Sequence, residues 1–114
     1  MADDCIFCKI ASGKISSDKI FENEDVMAFR DIHPIAPTHV IIIPKKHYAT
    51  LNDIPANEMG IVSKIFAAAK EIARSEKIAD DGYRTILNTN RSAGQEIFHL
   101  HFHLLGGRPL RGLG

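Results

Sequence analysis

The sequence has no surplus of charge of either sign: 14 lysines and arginines stand against 14 aspartates and glutamates. No global field therefore recruits nucleic acid or an acidic membrane surface, and neither partner is expected. No stretch approaches the roughly 18–20 consecutive apolar residues of a membrane-spanning helix. Asp3 and Asp4 stand where a secretory signal would be basic, which makes a cytoplasmic address the expectation. Cysteine is scarce. Only Cys5 and Cys8 occur, and in a reducing compartment they are thiols available to a metal or to redox work rather than a disulfide framework. Internal repeats, linkers, a P-loop, a G-x-G-x-x-G run and clustered metal-binding carboxylates are all missing, which removes the parts of kinase and metal-dependent phosphatase mechanisms. What remains is one globular domain over residues 1–114, 45% hydrophobic and 25% charged.

The chain reads as about five strands and one long helix. Residues 19–24 and 26–31 form a hairpin, and the loop 31–37 is stiffened by Pro34 and Pro37. Thr38–Pro44 is rich in β-branched residues and reads as a central strand buried on both faces. Asn52, Asp53 and Pro55 supply helix-start chemistry. From Ala56 to about Lys77, Met59, Val62, Ile65, Phe66, Ala69, Ile72 and Ala73 recur at spacings of three and four, an amphipathic helix. Residues 83–88 read as a strand, 89–95 as a loop around Gly94, and 96–105 as the last strand, with 105–114 a flexible tail. The class is α+β.

That last strand carries the chemistry. Three of the six histidines fall within five residues, as His99, His101 and His103. On a strand the three line one face while Phe98, Leu100, Phe102 and Leu104 line the other. The helix covers the apolar face, so the imidazoles look toward solvent or a ligand from the open face. Same-face neighbours stand roughly 6.5–7 Å apart, too spread for one metal to collect all three easily. The row therefore divides between sites.

Cys5-Ile6-Phe7-Cys8 is a C-x-x-C. The redox reading wants a preceding strand, which residue 5 leaves no room for, and zinc wants two further ligands. Cys5, Cys8, His47 and His99 would close a four-ligand structural zinc site, with buried inert thiols as the alternative. His101 and His103 then remain for chemistry, with His39 as a third candidate. A histidine nucleophile suits phosphorus, because water readily breaks the N–P bond that it forms. The backbone N–H groups of residues 90–95 are candidates to cradle phosphate oxygens.

The run His99-Leu100-His101-Phe102-His103-Leu104-Leu105 resembles the signature of the histidine triad (HIT) superfamily. Asp31-Ile32-His33-Pro34, Pro37-Thr38-His39, Pro44-Lys45-Lys46-His47, Asn88, Gly94-Gln95 and Gly106-Gly107-Arg108 extend the resemblance to its histidine triad nucleotide-binding branch. The resemblance implies a homodimer whose two sheets join, and a phosphoramidase acting on purine nucleotides of the AMP or GMP type. It makes His101 the nucleophile, flanked by His103 and His39. Asp31 would accept the ribose hydroxyls. Phe29, Ile32, Ile6 and Phe7 would wall the base pocket, and Asn88, Gly94 and Ile97 would complete the phosphate and sugar environment. Zinc-bearing relatives place their metal on residues matching Cys5, Cys8, His47 and His99, and no catalytic metal is expected. Glu96 departs from the pattern, standing where familiar members have a serine. Rival functions are a dinucleoside polyphosphate hydrolase, which shares the triad, and a nucleotide-binding regulatory module with incidental hydrolysis. A nucleotidyl transferase is disfavoured because His103 is kept.

Overall fold

A computed structural model describes residues 4–114, so Asp3 lies outside the described residues. Its elements are α1 (Ile6–Ala11), β1 (Lys19–Glu22), β2 (Val26–Arg30), β3 (Thr38–Pro44), α2 (Gly60–Ser75), β4 (Tyr83–Leu87) and β5 (Phe102–Gly106). The strands form one antiparallel sheet in the order β1-β2-β3-β5-β4. The α+β class, the five strands and the long helix all agree with the reading of the sequence.

Period-two alternation sorts the central strands onto two faces. Val40, Ile42, Phe102 and Leu104 face α2, where Ile65, Ala68, Ala69 and Ile72 complete the main core. Each large aliphatic side chain removed from water there contributes about 1.5–3 kcal/mol. The small residues Ala68 and Ala69 let the helix axis approach the sheet. On the opposite face Met27, Phe29, Ile41 and Ile43 meet Phe7 and Ile10 of α1 in a second core cluster. All seven residues of β3 are buried, because both of its faces are covered.

Five expectations need correction. The sheet face bearing the histidines is not open: α1 closes part of it, and His39, His99 and His101 are buried. The last strand does not run from 96; residues 97–99 bend, and ladder pairing begins only at Phe102. Leu100 bonds its N–H to the Tyr48 carbonyl at 2.7 Å instead of to a neighbouring strand, and Phe98 is exposed rather than core. The tail starts later than 105, since Leu105 and Gly106 close β5. Finally, α2 is shorter than 56–77. Asp53 is engaged by Thr50, whose N–H and hydroxyl both donate to Oδ2 (3.1 and 2.8 Å), capping a 3₁₀ turn at Leu51–Asp53. A second 3₁₀ turn, Ala56–Glu58, intervenes before α2 begins.

No helix among the described residues is long and apolar enough to cross a membrane.

Candidate active site and metal cluster

The bend before β5 separates the three histidines into two neighbourhoods. His99 is fully buried, and its Nε2–H donates to the Pro44 carbonyl at 2.8 Å. A carbonyl only accepts, so the proton sits on Nε2 and the Nδ1 lone pair faces inward. It meets Cys5 Sγ at 3.2 Å, Cys8 Sγ at 3.4 Å and His47 Nδ1 at 3.3 Å, while Cys8 Sγ lies 3.3 Å from His47 Nδ1. All four donor atoms lie within 4.8 Å of one another.

These spacings fit zinc. Tetrahedral bonds of about 2.0–2.1 Å to nitrogen and 2.3 Å to sulfur give edges of about 3.3 Å between nitrogens and about 3.6 Å between nitrogen and sulfur. Burial lowers the His99 pKa to about 4, overcoming the opposing pull of the Pro44 carbonyl, so its imidazole is neutral and ready to ligate. Burial, and then the neighbouring Cys5, push the Cys8 thiol up to about 11, a penalty on the thiolate that a bound cation reverses. Four protein ligands leave no open position, which is the arrangement of a structural site.

His101 is buried as well. Its Nδ1–H donates to the His99 carbonyl at 2.8 Å, which leaves Nε2 with an unshared pair. Burial also lowers its pKa, keeping the ring neutral.

His103, in β5 opposite Ile41, lies with its Nδ1 3.0 Å from Nε2 of His39. The Ile35 N–H donates to His39 Nδ1 at 3.2 Å, so the His39 proton is on Nε2, between His103 Nδ1 and Asp31 Oδ2 at 3.4 Å. His103 must accept that proton's hydrogen bond and therefore carries its own proton on Nε2. Its pKa falls to about 4 through burial, followed by repulsion from His101 and His39. Burial likewise lowers the His39 pKa, so its contact with Asp31, at 3.4 Å, is that of a largely neutral ring beside a carboxylate rather than an ion pair. Asp31, His39 and His103 are close enough together to suggest a second metal set. A metal there would need the Nε2 lone pair of His39, but the Ile35 bond to Nδ1 keeps a proton on that nitrogen, and the pattern instead reads as a hydrogen-bonded chain.

The remaining expected residues scatter in exposure. Phe29 and Phe7 are buried in the second core cluster, Ile97 packs against it, and Ile6 is exposed. Ile32 is 86% exposed, and Asn88 is half-buried at the end of β4. Gly94 adopts the left-handed conformation, φ 95°, that ends the turn Arg91–Ala93. The N–H groups of Ala93, Gly94 and Gln95 all turn inward to Asn90 or Arg91 carbonyls, so these three do not form the anion cradle expected of the loop.

Sequence reasoning missed what holds that loop. Gln95, only 4% exposed, donates from Nε2 to the carbonyls of Ala49 (2.9 Å) and Ile97 (3.0 Å) and accepts the Asn90 N–H at 2.7 Å. It also missed α1, a six-residue helix whose N-cap is the Cys5 sulfur, accepting from the Cys8 N–H at 3.3 Å. A pair of glutamine–glycine neighbours in a polar loop was the only available signal for the first, and nothing in residues 4–11 signalled the second. Glu96 is exposed.

A neutral, tautomer-locked histidine beside a hydrogen-bonded histidine pair, next to a closed four-ligand cluster, defines the class. The HIT domain family matches residues 12–110, and the chain belongs to that family. It is 50% identical over 110 residues to the purine nucleoside phosphoramidase of Escherichia coli K12, covering 96% of this chain and 92% of that one. Among solved structures, a histidine triad protein from Clostridium difficile superimposes with a TM-score of 0.95 at 47% identity, covering 97% of this chain and 96% of the other. A HIT family hydrolase from Legionella pneumophila gives 0.92 at 47% identity, covering 95% and 96%.

Proposed function

We propose that the chain is a hydrolase of purine nucleoside phosphoramidates, working through a nucleotidyl-histidine formed on His101. The observation that carries this reading is the bare Nε2 of His101, fixed by the Nδ1–H bond to the His99 carbonyl. The likeness to a phosphoramidase over almost the whole chain supports the substrate class.

In the first step Nε2 of His101 attacks the phosphorus, the P–Nε2 bond forms, and the P–N bond to the leaving amine breaks; the amine takes a proton from water. The ring becomes cationic, and the His99 carbonyl on Nδ1–H stabilises that charge. Water then attacks the phosphorus, the N–P pair returns to Nε2, and a proton returns to solvent with release of the nucleoside monophosphate. Because His103 Nδ1 is occupied by the His39 proton, His103 stays neutral and offers Nε2–H as a donor to a phosphate oxygen. Each Asp31 oxygen makes one contact, Oδ1 accepting the His33 N–H at 2.8 Å and Oδ2 facing His39. A lone pair on each remains for a ribose hydroxyl. Phe29 and Ile32 serve the base, and Asn88, Gly94 and Ile97 complete the surroundings of the sugar.

Zinc on Cys5, Cys8, His47 and His99 is a structural tether in this reading; elemental analysis should find about one per chain. A homodimer is supported by the outer edge of β4, unpaired among the described residues, and by Met59 and Phe66, each 42% exposed on or beside α2.

The test is a substrate panel with the wild-type protein. Adenosine 5′-phosphoramidate should turn over far faster than diadenosine polyphosphates. The opposite ranking would make it a dinucleoside polyphosphate hydrolase, and negligible turnover of everything would make it a binding module.

A further inference from the structure

The ring of His101 is held in two ways, and both lead back to the metal cluster. The first is the carbonyl that takes its Nδ1–H, which belongs to the ligand residue His99. The second is Phe7, which lies on α1 between the ligand residues Cys5 and Cys8. The Phe7 ring centroid is 5.0 Å from that of His101 with the planes at 82°, and 6.0 Å from His99 at 77°. Phe29 backs Phe7 from the sheet, 5.5 Å away at 66°. On its other side His101 meets His103 at 5.2 Å and 68°. One hydrogen bond fixes an edge of an imidazole but lets the ring swing about that bond. Edge-to-face neighbours on two sides remove the swing.

Phe7 is only 6% exposed, so its ring is held firmly by packing. Its position along α1 is set by the cysteines on either side of it. We propose that Phe7 is a positioning residue: it carries the fixed geometry of the Cys5, Cys8, His47 and His99 cluster across to the ring of His101. The structural metal and the reacting nitrogen are thereby coupled. Attack at phosphorus needs the Nε2 pair in line with the bond that breaks, and small displacements of a reacting group are costly. The proposal rests on His101 being the nucleophile.

The experiment uses Phe7→Leu, with Phe7→Met as a substitute of closer length should the first not fold. Bound metal should stay at the wild-type level. The kcat for adenosine 5′-phosphoramidate should fall about tenfold, while KM and the Kd for AMP stay within about twofold. Ile10→Ala is the control: Ile10 lies on the same helix and in the same core cluster, so it should lower the melting temperature without lowering kcat. Cys8→Ser should reduce kcat as well, and the double variant should fall no more than about twofold below the slower single, because both changes cut the same link. By nuclear magnetic resonance, chelating the metal should shift the His101 ring protons less in Phe7→Leu than in the wild type, the remainder passing through the His99 carbonyl.

A wild-type kcat in Phe7→Leu, an effect confined to KM and Kd, an equal loss of kcat in Ile10→Ala, or a multiplicative double variant would each overturn the proposal. Failure of the underlying reading is separate: it shows as turnover by His101→Ala, whatever Phe7 does.

Discussion

Gln95→Leu removes a side chain that satisfies three backbone groups from three segments: the Ala49 and Ile97 carbonyls and the Asn90 N–H. Leucine has a similar volume, so the change leaves little cavity and isolates the hydrogen bonds. An unsatisfied buried group costs about 1–3 kcal/mol. Residues 90–94 are exposed and admit some water, so the low end applies and the sum is roughly 3 kcal/mol. For a domain of this size that corresponds to a fall of roughly 10–15 °C in melting temperature. A companion change tests the same loop from the other side. Asn90 holds φ 70° and ψ 177°, a region that is essentially glycine's alone, at a strain of roughly 1–3 kcal/mol. Asn90→Gly removes that strain against an entropic cost of up to about 1 kcal/mol, so stability should hold or rise. Thermal unfolding followed by circular dichroism reads both. A Gln95→Leu midpoint within about 2 °C of wild type, or a clear loss in Asn90→Gly, would refute the view that Gln95 restrains a strained loop.

Acid should weaken the fold through His103. Its folded pKa, about 4, lies below the ordinary value of 6.5, so the unfolded chain binds the proton more readily. The stabilisation is complete above pH 6.5 and is lost as pH falls toward 4, with a slope approaching about 1.4 kcal/mol per pH unit in that window. Denaturant midpoints at pH 7, 6 and 5 should therefore fall less in His103→Gln than in wild type; parallel curves would contradict this. Gly107→Ala should lower the melting temperature: the residue has φ 96°, and a Cβ there would stand 2.8 Å from Pro37 Cβ. A neutral outcome would mean that β5 does not press against the Pro37 loop as described.

The regular elements were legible because period is a strong signal. β3 announced itself as a run of β-branched residues, and α2 by its three-and-four spacing, although its start was misplaced because Asp53 caps a turn with Thr50 rather than the helix. The division of the histidines was legible in outline: His99 with the cysteines, His101 and His103 elsewhere. The bend at 97–99 was not, since strict alternation continues through residues that leave the sheet to bond Tyr48 and Pro44. The closed face was hidden for a similar reason. α1 is too short to show a period, and what places it is the set of contacts its cysteines and Phe7 make with residues more than 90 positions away. Tautomers also lie beyond sequence, because they depend on which carbonyl or N–H each ring nitrogen meets.

The central claim is that the bare Nε2 of His101 attacks phosphorus, and amine release from adenosine 5′-phosphoramidate by His101→Ala tests it most directly. Turnover should vanish while AMP binding and the melting temperature stay close to wild type. Amine release at the wild-type rate would contradict the claim.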